Sequence, residues 1–281
     1  METWRNQKGG TFIRTDNPSV YSYPMGIGAG DVDNDGDVDL FYSNVGPTLP
    51  EALLRGNLTK DDSFNTDYML FVNDGSMGFA DEAQTRGVSE LGFGWGVLMA
   101  DFNNDTRMDL YAAQNYAKFP GVKLLDPYPG RLLQQDAGGR FQAVEEEAQI
   151  SNRNFGITQV VSDFNQDGWP DLVLGNLTGD TRTFLNEGGA ESWLRVRLPK
   201  DASGLNARVT VTLEDGRQFT RQAMAAESLC SDSTDVLLFG LGSASGEVTL
   251  KIQPAGGRPA VNLDAVAVNT TVTVSANDLG R

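Results

Sequence analysis

Apolar residues in this chain fall in short runs bounded by Gly, Asp or Asn, and nowhere at the three-to-four-residue spacing of a long amphipathic helix. Residues 25–30 and 40–44, 95–100 and 110–115, and 157–162 and 172–176 form three pairs of such runs. Each pair reads as two buried strands on either side of a polar loop. From residue 191 onward, SWLRVRL, ARVTVTLEDGRQFTRQ, LLFGLG and EVTLKIQ alternate apolar and polar positions, which predicts antiparallel strands joined by turns such as Glu214-Asp215-Gly216. The best helical candidate is a single turn at 143–149. The pattern predicts an all-β chain whose character changes near residue 190.

The polar loops between the paired runs are one motif written three times: DVDNDGDVD at 31–39, DFNNDTRMD at 101–109 and DFNQDGWPD at 163–171. Positions 1, 3, 5 and 9 always carry a side-chain oxygen, from Asp31, Asp33, Asp35 and Asp39, from Asp101, Asn103, Asp105 and Asp109, and from Asp163, Asn165, Asp167 and Asp171. Alternate oxygens, a position-7 backbone carbonyl (Asp37, Arg107, Trp169) and a last carboxylate able to bind through both oxygens suit a hard cation such as Ca²⁺, which takes about 6 to 8 oxygen ligands. A solvated acidic turn uses the same residue types, but three copies in one setting favour metal chemistry. An EF-hand is excluded, because position 12 is Tyr42, Ala112 or Leu174 rather than Glu and the flanks are not helical. Position 6 makes the sharp turn and is Gly36 and Gly168 but Thr106. The second site is therefore expected to be the weakest, and the first, with four carboxylates, the strongest.

The repeat extends beyond the loop. A hairpin-like segment precedes each copy, WRNQKGGTF, FVNDGSMGF and LQQDAGGRF, and a fourth, FLNEGG from Phe184, has no loop after it. The first aspartates lie 70 and 62 residues apart and Phe12, Phe79 and Phe141 lie 67 and 62 apart, so both markers keep step. A period of that length with about four strands is what a propeller blade requires.

The order N-x-G-x-x-F, then Met25-Gly26, Phe93-Gly94 or Phe155-Gly156, then D-x-[DN]-x-D-G-x-x-D-L resembles the FG-GAP/VCBS repeats of integrin-type β-propellers over about residues 1–190. That resemblance implies calcium, up to three ions, in the blade loops. Residues 191–265 resemble the ASPIC/UnbV domain that follows such repeats in the cartilage acidic protein family and bacterial relatives. The cues are Trp193-Leu194 with Val196 and Leu198, Ala207-Arg208-Val209, and Phe239-Gly240-Leu241-Gly242. Ile252-Gln253-Pro254 departs from the family turn by lacking its Trp. The expected architecture is a partial or truncated β-propeller of about three blades at 1–190, followed by a small antiparallel β domain at 191–281.

Charge and composition narrow the function classes. The formal net charge is −16, and three divalent ions would reduce it to −10. Nucleic acid is a poor partner for such a chain, since its binding depends on Lys and Arg. No histidine is present, which excludes Ser-His-Asp, Cys-His and His-ligated zinc chemistry. GIGAGD at Gly26 lacks the glycine spacing and following helix of a dinucleotide loop, and GLGSASG at Gly240 has Ala244 where a nucleophile elbow needs Ser. Cys230 is alone, so no internal disulfide forms.

These readings lead to a calcium-binding, non-enzymatic interaction or adhesion protein of extracellular or periplasmic type, its ligand a protein or a glycan. The alternatives are a carbohydrate-binding or polysaccharide-cleaving propeller protein, and an accessory protein of bacterial secondary metabolism. No apolar run approaches the ~18 residues of a membrane span, and METWRNQKGG lacks the apolar core of a signal peptide. With Met1 falling at a blade hairpin, a truncated or open arc is expected, with self-association through its open edge near Trp4 and Phe12. The long loops 46–67 and 116–130, the second with Tyr116, Phe119 and Tyr128, are candidate contact surfaces.

Overall fold

A computed structural model describes residues 3–7, 9–15, 20–115, 128–225, 228–231 and 236–280, so the predicted contact residues Tyr116 and Phe119 lie outside the described residues. The chain is all-β, built from small sheets with only brief helical turns. Ile27–Gly30, Asp39–Tyr42, Met69–Asn73 and Phe79–Asp81 form a four-stranded antiparallel meander. Phe93–Ala100, Asp109–Asn115, Arg131–Gln135 and Phe141–Ala143 form a second. Phe155–Ser162, Asp171–Thr178 and Arg182–Phe184 form a third sheet of three strands.

In each sheet the aspartate loop joins the first strand to the second. The strand register sets the phase of the repeat: FVNDGSMGF is the outer hairpin of the sheet begun by the first loop, and LQQDAGGRF closes the sheet of the second. Each hairpin thus completes the loop before it, whereas the sequence order alone suggested that it leads the next. FLNEGG is the matching turn of the third sheet, after which the chain leaves for the C-terminal domain at Ser192–Arg197.

The first strands of the three sheets pack against one another. Their glycines permit this approach, because a methyl group at Gly26 would overlap the Trp95 carbonyl and one at Gly28 would lie 3.0 Å from Leu98 Cα. Phe41, Tyr68, Leu70, Val97 and Leu110 fill the space between the first two sheets. Each such side chain contributes roughly 1.5–3 kcal/mol by leaving water.

Within 143–149 the single turn expected forms at 144–148, where the Ala148 N–H donates to the Val144 carbonyl at 2.8 Å, while Ala143 still belongs to the strand paired with Arg131–Gln135. Short helices lie at Gly46–Thr48, Glu51–Leu54 and Ala83–Arg86. The loop 46–67 folds onto its neighbours: Phe64–Asn65 pairs with Tyr21–Ser22, and Phe64 meets Tyr23 edge-on at 6.2 Å.

The C-terminal domain has two sheets over one core of residues 194–279, separate from the clusters of the repeats. One sheet, Gln218–Gln222, Arg208–Thr212, Glu247–Gln253 and Val261–Ala267, is antiparallel. The other is mixed rather than antiparallel throughout, because Ser192–Arg197 pairs antiparallel with Val236–Gly242 and parallel with Thr270–Thr273. Among the described residues no helix is long and apolar enough to cross a membrane.

Candidate metal centre

The three aspartate loops share one set of local hydrogen bonds. The position-6 N–H donates to the position-1 carboxylate: Gly36 to Asp31 at 3.1 Å, Thr106 to Asp101 at 2.8 Å and Gly168 to Asp163 at 2.8 Å. The position-7 N–H of Asp37, Arg107 and Trp169 donates to Asp35, Asp105 and Asp167 at 2.8, 2.9 and 2.9 Å. The backbone is wound tightly enough that position 4 (Asn34, Asn104, Gln166) and position 6 both have positive φ. Thr106 sits at φ 83 where the other loops place Gly36 at 93 and Gly168 at 92, so the second loop carries the strain of a β-branched residue in a glycine conformation.

The last aspartate of each loop is committed to the backbone. Asp39 accepts the Val32 N–H on Oδ2 and the Asn73 N–H on Oδ1, Asp109 accepts those of Phe102 and Gln135, and Asp171 those of Phe164 and Asn186. These three carboxylates tie the first two loops to the third strand of their own sheets and the third loop to the turn just after its third strand. Asn73, Gln135 and Asn186 precede the Asp or Glu of each outer hairpin, a repeat marker visible in the sequence but not assigned a role there. Their side chains add a second link, since Gln135 reaches the Val32 carbonyl of the first loop and Asn186 the Phe102 carbonyl of the second. Asn34 and Asn104 extend the ladder by donating to the Thr106 and Gly168 carbonyls.

Asp31, Asp33 and Asp39 offer one carboxylate oxygen each within 4.8 Å of one another, and this group of three acids can hold a metal ion. Asp31 Oδ1 is buried without a hydrogen-bond partner, as a ligand oxygen would be. Asp35 is exposed and lies outside the triad, and Asp37 turns toward Arg208 at 4.0 Å. Burial pushes Asp31 up to about 6 and Asp39 up to about 7, and raises Asp33; neighbouring carboxylates add to the rise. Three crowded carboxylates favour either protons or a cation.

The other loops resolve the same problem differently. Asp105 pairs with the Arg107 guanidinium, which also donates to the Gln135 carbonyl, and Asn103 and Asn165 donate to Asp105 and Asp167. Burial pushes Asp101 up to about 7 and Asp109 well above the usual carboxylate range. Trp169 is buried, and its indole packs beside Gly188 and Gly189.

The C-terminal domain sits on the loop end of the repeats, which the sequence reading missed. Gly240 packs directly on Asp101 and Asn104, where any side chain would overlap, and the Gly242 N–H donates to the Asn104 carbonyl at 2.8 Å. Arg221, a buried guanidinium, draws Asp31 and Asp101 downward electrostatically, against the larger effect of their burial. Arg195 Nη1 lies 3.2 Å from Asp163 Oδ2. Between the domains remains a cavity of about 90 Å³ whose lining includes Asp31, Asp101, Met99, Met108, Arg221 and Met224. Residues 198–279 match the family model described as ASPIC and UnbV, which begins after Trp193, Leu194 and Val196 and runs beyond residue 265. No curated protein matches the chain.

Proposed function

We propose that this chain is a calcium-binding, non-enzymatic interaction protein of extracellular or periplasmic type, in which an arc of propeller blades of the FG-GAP/VCBS kind carries the metal and an ASPIC/UnbV domain caps its loop end. The observation that carries the reading is the Asp31, Asp33 and Asp39 triad with its buried, partnerless Asp31 oxygen. An all-oxygen donor set on a tight loop suits Ca²⁺ over Mg²⁺, which demands near-octahedral geometry and keeps its waters. The side-by-side first strands and the loop joining strands one and two of each sheet support the blade reading. Support for an interaction surface comes from the N-terminal hairpin, Thr3–Asn6 with Phe12–Thr15, where Trp4 and Phe12 are 50% and 59% exposed.

Thermal unfolding tests the metal. Calcium at 100 times its dissociation constant adds about 2.7 kcal/mol for one site, and magnesium adds much less. A melting temperature indifferent to both calcium and EDTA overturns the reading. A glycan array with and without calcium then identifies the ligand class, and cleavage of a bound glycan makes the protein an enzyme.

A further inference from the structure

We propose that the third aspartate loop takes the guanidinium of Arg195 as its cation in place of a metal ion, so that this loop is the socket in which the C-terminal domain docks. Arg195 lies on Ser192–Arg197, the strand by which the chain enters that domain. Its Nη1 is 3.2 Å from Asp163 Oδ2, and the two side chains are 6% and 1% exposed, so water does not screen the pair. Asp163 already accepts the Gly168 N–H on the same oxygen and the Asp167 N–H on the other, so the guanidinium completes its coordination. Trp193, two residues earlier and therefore on the same face of the strand, lays its indole against Gly168 and covers the turn of the loop.

The first loop has no such ion pair, although the buried Arg221 guanidinium attracts both Asp31 and Asp101 without pairing with either. Among the described residues no guanidinium forms an ion pair with Asp31, Asp33 or Asp39; Arg208 reaches only Asp37, at 4.0 Å and partly in solvent. Both loops have Gly at position 6 and Asp at positions 1, 5 and 9; they differ at position 3, Asp33 against Asn165, and at position 7, Asp37 against Trp169, but neither difference brings in the guanidinium, which comes from another domain. A divalent ion at Asp163 would sit beside a buried positive charge and compete for the same carboxylate. For it to bind, Arg195 must withdraw, leaving a buried charge without its partner, which is costly. Metal in the third loop and docking of the domain are thus mutually exclusive, and by linkage each opposes the other.

The test uses the full chain with terbium(III), a luminescent stand-in for calcium on oxygen ligands that is sensitised by a nearby indole. Trp169 belongs to the third loop and Trp193 lies over it, so an ion bound there emits on tryptophan excitation. Asp163→Asn is expected to leave both the calcium stoichiometry and the terbium emission of the native chain unchanged. Arg195→Gln is expected to gain one calcium and a new tryptophan-sensitised emission, both abolished when Asp163→Asn is added. Loss of one calcium in the Asp163→Asn chain overturns the proposal, as does a folded Arg195→Gln chain that gains none. Should Arg195→Gln fail to fold, the comparison of native and Asp163→Asn chains decides alone. The proposal rests on the metal reading of the first loop only for its reference signal: a native chain that binds no calcium defeats that reading, while the gain at Arg195→Gln still decides this one.

Discussion

Asp39 and Asn73 are joined across the first sheet: the Asn73 backbone N–H donates to Asp39 Oδ1 at 2.8 Å while Oδ2 of the same carboxylate takes the Val32 N–H at 2.7 Å. One side chain therefore fixes both the start of its own loop and the end of a strand far along the chain.

Asp39 and Asp33 should separate structural from metal-binding roles. Asp39→Ala leaves two buried donors without partners, each costing about 1–3 kcal/mol, so urea unfolding in EDTA should show a loss of about 2–6 kcal/mol. Asp33 is exposed, and Asp33→Ala should shift stability in EDTA by only about 0.5 kcal/mol while weakening calcium about tenfold or more. Equal stability losses in the two variants would refute this division.

The metal-free protein should lose stability as pH rises. Burial holds Asp39 and Asp101 at about 7 and Asp31 at about 6, above the ordinary 3.8, so between those values the fold holds protons that the unfolded chain has released. Their contribution is present below about pH 4 and is lost as pH climbs through about 7. Urea midpoints in EDTA should thus be higher at about pH 5.5 than at about pH 8, with calcium closing the gap at the higher pH. A midpoint that rises with pH in EDTA contradicts this.

Thr106→Gly should stabilise the protein by about 1 kcal/mol, since Thr106 holds φ 83 in a turn whose counterparts are glycines. Thr106→Val, which keeps the branched side chain, should bring no gain. Denaturant midpoints for the two variants decide the matter, and a destabilised Thr106→Gly would mean that the strain is absent.

Gly240→Ala should undock the C-terminal domain. The added methyl would overlap Asp101 and Asn104, and overpacking of this kind costs about 1–3 kcal/mol. Each domain keeps its own core, so unfolding should split from one transition into two and protease should gain access near residue 190. A single unchanged transition would show that the contact is dispensable.

Trp4→Ser with Phe12→Ser should reduce self-association. Trp4, Phe12 and Ile13 are each half or more exposed on a hairpin that pairs with no further strand among the described residues. Light scattering over a concentration series measures it; native and variant chains that are equally monomeric would rule out this surface.

By itself the sequence determined the all-β class and the internal build of each loop. Hydrogen bonds spanning two to five residues and the glycine conformations at Gly36 and Gly168 depend on consecutive residue types, so nine residues suffice to write the loop and three copies suffice to recognise it. The strain at Thr106 was legible for the same reason. Which hairpin completes which loop was not, because repeat order along a chain is the same in either phase and only strand pairing chooses one. The fate of the three loops was least legible of all. Asp31 and Asp163 open nearly equivalent loops, yet one keeps a partnerless buried oxygen while the other is filled by Arg195. That difference comes from Arg195, set by the strand pairing and core of another domain, and charge compensation between surfaces that meet only on folding leaves no periodic mark in either segment. The second loop carries its own guanidinium in Arg107, but only tertiary packing brought Arg195 to the third.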